Sequence, residues 1–204
     1  MYALAPESIR ASATSPRRIL SGLSRTLSGS SLSKGAISTS GKMDRVLAVL
    51  QAGDQAPDFE LRDQNGDPIK LSDLKGQTLV LYFYPRADTP GCTTQACGVR
   101  DRRAEYEAAG ARVIGISPDS VDAEKKFADK FDLDFTLLAD ADHAVAERYG
   151  TWVEKSMYGK KYMGVQRATF IVGPDGKVAQ VFPKVSPKTH DDVVLKALDE
   201  LTAA

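Results

Sequence analysis

Cys92 and Cys97 are the only cysteines in a chain of 204 residues, and they stand five positions apart in Tyr84-Pro85-Arg86-Ala87-Asp88-Thr89-Pro90-Gly91-Cys92-Thr93-Thr94-Gln95-Ala96-Cys97. Proline suits the first position of a helix, where its missing N–H is not needed, and glycine suits the tight turn beside it. Cys92 would then sit in the first helical turn, near backbone N–H groups without an intrahelical partner, where a thiolate is favoured over a thiol. Two cysteines do not make a disulfide scaffold for a chain of this length. A close pair reads instead as catalytic or redox-sensing, so thiol redox chemistry leads. The bland reading, two cysteines packed as small hydrophobes, fits poorly beside Pro90 and Gly91, which are poor core material.

On an ideal helix, residues five apart are separated by about 7.5 Å of rise and roughly 140° of rotation, a Cα distance near ~9 Å. A disulfide needs about 4.4–6.8 Å. Any bond between the two sulfurs therefore requires the helix between Thr93 and Cys97 to open.

The elements that must position this segment follow from hydrophobic pattern. Gly53 to Leu61 alternates weakly and leads into the turn signal Asp63-Gln64-Asn65-Gly66-Asp67; Ile69 and Leu71 resume the alternation, which predicts a hairpin. Thr78 to Tyr84 is apolar enough for a central strand covered on both faces. Thr93 to Ala109 reads as one helix ending at Gly110, with Ala96, Val99, Arg100, Arg103 and Tyr106 at three- and four-residue spacing. Arg112–Ser117 is the next strand, Val121–Phe131 a helix and Asp142–Tyr149 a shorter one. Thr169–Val172 and Lys177–Phe182 flank Gly173-Pro174-Asp175-Gly176 and form a second hairpin, and Asp191–Leu201 is the closing amphipathic helix. This order predicts an α/β chain with a mixed central sheet, helices on both faces and an N-terminal β-hairpin.

Formal charge is zero overall, but residues 1–42 hold six basic side chains against the single acid Glu7, leaving 21 basic and 26 acidic ones in 43–204. That acidic body argues against nucleic-acid binding. No apolar run approaches the roughly 18 residues of a spanning helix, so no membrane role is expected. Residues 1–42 contain 11 serines and little periodicity, the composition of a disordered extension. Met43 stands immediately before the first dense apolar pattern, which divides the chain into an extension, 1–42, and a folded domain, 43–204. The extension reads as an overextended start or dispensable tail, or alternatively as an organelle transit peptide. His143 and His190 are the only histidines, too few for a tetrahedral Cys/His metal set; surface or capping roles are expected for both.

Pro85, Thr89, Pro90, Gly91, Cys92, Thr93, Gln95 and Cys97 together resemble the active-site segment of the peroxiredoxins, specifically the peroxiredoxin Q or bacterioferritin-comigratory-protein type. The likeness runs from about Gly53 to the C-terminus and includes Val113–Pro118 and Lys155 to Phe170. It implies a thioredoxin-like fold and a thiol peroxidase that reduces hydrogen peroxide and organic hydroperoxides without metal, haem or other cofactor. It further implies Cys92 as the peroxidatic cysteine, Cys97 as the resolving one in an intramolecular disulfide, Thr89 as a hydrogen-bond partner of peroxide, Pro85 as a shield and Arg167 as the group that polarises substrate. Thioredoxin is the implied electron donor, with a glutaredoxin-type donor as the alternative, and a monomer the implied state. The segment Met157–Met163 resembles the bacterial rather than the plastid branch, which favours a cytoplasmic protein over an organellar one.

Arg167 has a physical rationale of its own: a permanently charged guanidinium can favour a thiolate and still bond a peroxide oxygen. Without the resemblance it would read as a surface or salt-bridge residue. The principal rival is a thiol-disulfide oxidoreductase, but such proteins attack with Cys-x-x-Cys, whereas four residues intervene here and Ala168, not proline, precedes Thr169. Trp152, Tyr158 and Tyr162 are read as packing residues, or as a border of the pocket or of a thioredoxin docking surface.

Overall fold

A computed structural model describes residues 50–157 and 159–203. The 1–42 extension and Tyr158, both singled out in sequence, lie outside the described residues.

The predicted hairpin forms from β1 (Glu60–Asp63) and β2 (Pro68–Lys70), with Leu61 opposite Ile69. Leu71 departs from expectation: it starts a 3₁₀ turn, Leu71–Leu74, that buries both leucines instead of extending the strand. β3 (Thr78–Phe83) is the expected central strand. It runs parallel to β4 (Ala111–Ser117), with Leu81 opposite Ile114, and antiparallel to a strand far along the chain, Ala168–Val172.

Between β3 and β4 the chain makes two helices rather than the single one expected. α1 covers Pro90–Asp101 and α2 Arg103–Ala108, separated by Arg102, whose backbone leaves helical geometry while its guanidinium bonds Glu105 and Asp192. α3 (Val121–Phe131) matches its predicted limits, capped by Ser120 at its start and by Asp132 in the left-handed region at its end. β5 (Thr136–Ala139) follows, unpredicted because four residues carry too little pattern. α4 (Ala144–Arg148) is shorter than expected. β6 (Trp152–Met157) and β7 (Lys160–Val165) form a separate two-stranded ribbon that the sequence reading had not assigned. β8 (Ala168–Val172) and β9 (Val178–Phe182) make the second hairpin, and α5 (His190–Thr202) closes the fold.

The sheet order is β2-β1-β5-β4-β3-β8-β9, a mixed seven-stranded sheet. Alternation along β3 divides the core in two. Val80, Tyr82 and Tyr84 pack with Ala96, Val99, Phe127, Val194 and Leu198 from α1, α3 and α5, while Leu79, Leu81 and Phe83 pack with Val145 and Tyr149 on the opposite face. This is the mixed sheet with helices on both faces of a thioredoxin-like fold.

Two consequences of this topology matter for chemistry. The parallel strands β3 and β4 end on the same side, so the segment after Phe83 and the segment after Ser117 lie together, where open α/β sheets place their sites. β8 is antiparallel to β3 with Ala168 opposite Phe83, so the residue before β8 arrives beside the residue after β3. Arg167 is thus delivered to the end of an interior strand.

One histidine expectation is overturned. His190 is fully buried, not a surface group: its ring nitrogens lie 3.1 Å from Thr169 Oγ1 and 3.1 Å from Asp191 Oδ1, because α5 begins under β8 rather than in solvent. His143 occupies the position before α4 and stacks on Trp152, with ring centroids 4.1 Å apart.

Candidate active site

The turn between β3 and α1 is held from outside. Asp88 has φ 54°, a left-handed conformation that disfavours residues with a Cβ, and its carboxylate is gripped by Lys130 of α3 at 2.7 and 2.9 Å. The preceding amide, Ala87 N–H, donates to Asp119 Oδ2 at 2.7 Å. Thr89 then takes the cap position and Pro90, as its residue type suggests, the first helical one, so α1 begins three residues before the Thr93 start read from the pattern.

Cys92 is the third helical residue, only 2% exposed. Its Sγ accepts a hydrogen bond from Arg167 Nη2 at 3.2 Å, while Arg167 Nη1 donates to Gln95 Oε1. Gln95 lies one turn after Cys92 on the same helical face and is fully buried, and its Nε2 has no partner among the described residues. Gly91 brings the backbone close: a Cβ there would stand 3.5 Å from both Arg167 Nη2 and Pro187 Cγ.

A second cation borders the site. Lys155 of β6 is half-buried and donates to the Val165 carbonyl at 2.5 Å. Burial first, and the repulsion of Arg167 second, push its ammonium below the usual lysine range, with the charge of Cys92 opposing them. Tyr82 belongs to the same core cluster as Cys92; its buried hydroxyl has no partner among the described residues and its acidity is suppressed by burial.

The structure therefore brings Cys92 and Arg167 together, as expected. Thr89 is nearby, but its hydroxyl donates to the Arg86 carbonyl at 3.1 Å rather than to sulfur, and Pro85 is half-buried at the start of the turn. Cys97 is half-buried on the same unbroken helix, and both thiols are free. Sequence reasoning quoted Gln95 without giving it a task; its spacing of three from Cys92 was the available signal. Chemically, a buried sulfur beside a permanent cation and a helix N-terminus is the environment of a nucleophilic thiolate.

The AhpC/TSA family model matches residues 52–181. Peroxiredoxin Bcp of Escherichia coli K12 is 50% identical over 151 residues, covering 74% of this chain and 97% of the relative. The chain belongs to the peroxiredoxins, within the Bcp/PrxQ branch. Peroxiredoxin Bcp of Bacillus subtilis is 42% identical over 154 residues, covering 76% of this chain and 98% of that one. Among solved structures, this peroxiredoxin is similar to Peroxidoxin BcpB of Mycobacterium tuberculosis, with a TM-score of 0.66 and 41% identity over 74% of this chain and 97% of the other. A cysteine-to-serine form of Xanthomonas campestris Peroxiredoxin Q matches with a TM-score of 0.70 and 37% identity, over 74% and 99% of the two chains. The peroxiredoxin's membership makes it an oxidoreductase of peroxidase type. No described helix is long and apolar enough to cross a membrane.

Proposed function

We propose that this peroxiredoxin reduces hydrogen peroxide and organic hydroperoxides with Cys92 as the peroxidatic residue. The observation that carries the reading is Arg167 Nη2 at 3.2 Å from Cys92 Sγ in the first turn of α1. The thiolate attacks one peroxide oxygen; the S–O bond forms as the O–O bond breaks, and the departing oxygen takes up a proton to leave as water or alcohol. Charge grows on that departing oxygen in the transition state, and a pre-set guanidinium donor is worth most there. Thr89 turns its hydroxyl from the Arg86 carbonyl to the peroxide, and Pro85, without an N–H, borders the pocket without competing for it.

Cys92 sulfenic acid is then attacked by the Cys97 thiolate; the S–S bond forms and the sulfenic oxygen leaves as water. Since an ordered helix keeps the two Cα atoms too far apart for this bond, the first turns of α1 unwind at each cycle. A dithiol donor, thioredoxin, restores both thiols. The setting is cytoplasmic.

The deciding experiment is steady-state peroxide reduction with thioredoxin and its reductase, followed by intact-mass analysis of the oxidised protein. Turnover with the loss of two hydrogen atoms per chain is expected. Reduction of protein disulfides without peroxide consumption would instead make the protein a thiol-disulfide oxidoreductase.

A further inference from the structure

A buried carboxyl lies behind the turn that presents Cys92. Glu124 of α3 is fully buried, and no Lys, Arg or His among the described residues pairs with it. Tyr82 of β3 and Tyr84 just after it face Glu124 from one side, and Ser117 at the end of β4 and Asp119 beyond it from the other. Lys130, on the same helix, is engaged with Asp88.

The contacts form a chain. Tyr84 O–H donates to Glu124 Oε2 at 2.5 Å, and Glu124 Oε1 is hydrogen-bonded to Ser117 Oγ. Ser117 Oγ lies 2.8 Å from Asp119 Oδ2 and accepts the Asp119 N–H at 3.1 Å. Asp119 Oδ2 is the acceptor that fixes Ala87 N–H.

Counting protons decides the charge state. A serine hydroxyl has one proton to give and two lone pairs to receive with, yet Ser117 stands between two carboxyl groups. With both ionised, one carboxylate oxygen faces a hydroxyl lone pair beside the fully buried Glu124 and Ser117, an unsatisfied contact of the costly kind. One added proton on Glu124 resolves the chain: Glu124 O–H donates to Ser117 Oγ, Ser117 O–H donates to Asp119, and Tyr84 O–H still donates to Glu124. Burial supports this arrangement, pushing the Glu124 carboxyl up to about 7.

We propose that Glu124 is a positioning residue acting as a protonated acid: its proton orients Ser117 toward Asp119, which fixes the Ala87 amide and so the strained turn that sets Cys92 against Arg167. The proposal rests on the peroxidase reading only where it is read out as a rate. When Glu124 loses its proton, the single Ser117 proton is contested by two carboxylates, and the grip of Asp119 on Ala87 weakens. The turn then relies on Lys130 alone to hold Asp88 at positive φ. Peroxide reactivity accordingly falls as pH rises through neutrality, a direction opposite to that of simple thiol ionisation.

Three measurements on the full chain test this. Infrared difference spectra of wild type and Glu124→Gln should contain a protonated-carboxyl band that disappears on going from about pH 6 to about pH 8.5. The amide-exchange protection of Ala87 should fall about tenfold over that range in wild type, the loss expected for one hydrogen bond to a charged acceptor. In Glu124→Gln, whose amide can donate to Ser117 and accept from Tyr84, that protection should not change with pH, and the decline of the rate constant with hydrogen peroxide toward high pH should disappear. Ser117→Ala should lower Ala87 protection at every pH, which keeps the test valid should Glu124→Gln fail to fold. Equal pH profiles of Ala87 protection in wild type and Glu124→Gln, or undiminished protection in Ser117→Ala, would overturn the relay. Absence of peroxide turnover with the band and the exchange behaving as described would instead overturn the peroxidase reading and leave the relay standing.

Discussion

Arg167 Nη2 lies 3.2 Å from Cys92 Sγ although 75 residues separate the two in sequence. The pairing follows from the antiparallel register of β3 and β8, which sets Ala168 opposite Phe83. Replacing Arg167 by methionine keeps much of the stem and removes the charge-assisted donor. The second-order rate constant with peroxide, measured by stopped flow, should fall by about 10²–10³, the scale of losing one donor at a developing negative oxygen. An unchanged rate would make Arg167 a structural residue.

Cys92→Ser should abolish peroxide consumption, because an alkoxide is not accessible at neutral pH as a thiolate is. Cys97→Ser should behave differently. Its first oxidation should survive while thioredoxin-linked turnover falls, and mass spectra after excess peroxide should show sulfinic acid at Cys92. Normal thioredoxin cycling in that variant would remove Cys97 from the resolving step.

Gln95 holds the other arm of the Arg167 guanidinium from inside the core. Gln95→Ala leaves the arginine charged but free to rotate, so the rate constant with peroxide should drop about tenfold, in keeping with one hydrogen bond to a charged group. A loss as large as that of Arg167→Met would mean that Gln95 touches the reacting atoms itself.

Gly98, next to Cys97, has no room for a side chain: a Cβ would stand 2.3 Å from Asp191 Oδ2. Asp191 has little freedom to retreat, since its other oxygen accepts the Tyr106 hydroxyl at 2.7 Å and neighbours His190. Gly98→Ala should therefore destabilise the protein by up to about 2 kcal/mol in urea unfolding, the overpacking cost of about 1–3 kcal/mol less a gain of about 1 kcal/mol in helix propensity. Stabilisation would show that α5 yields at this point.

Glu124 also gives stability a pH dependence of definite sign. Burial raises its folded value from 4.5 to about 7, so between those values the native state binds more protons than the unfolded chain, and stability falls as pH rises. The stabilisation is fully present below 4.5 and lost by the time pH has passed about 7, a change of about 3 kcal/mol if the whole shift acts. Other carboxylates contribute slopes of their own, so the measure is the difference between wild type and Glu124→Gln in denaturant midpoints across this range. A difference independent of pH would exclude Glu124 as the titrating group.

Much of this protein is local and was legible. The apolar run Thr78–Tyr84, the turn signals at Asn65-Gly66 and Pro174-Asp175-Gly176, and the periodic helix Val121–Phe131 each act over a few residues, and each became the element its pattern implies. Pro90 and Gly91 announced the start of α1 around Cys92, and the combination with Cys97 carried the family resemblance. β5 and the β6–β7 ribbon were not legible, because their residues become strands only when a neighbour supplies the hydrogen bonds. The break at Arg102 likewise has no proline or glycine to mark it.

The sequence by itself determined which sulfurs are available, since only two cysteines exist, and that a helix carries them. Tertiary structure alone decided which charges act on them. Arg167 is one of many arginines until strand register sets it against sulfur; His190 is an ordinary polar residue until α5 seals it beneath β8; and Glu124 resembles any acid on an amphipathic helix until β3 and β4 close over it. Local propensity is a property of neighbours along the chain, whereas burial and electrostatic coupling depend on contacts between distant segments that exist only once the sheet has formed.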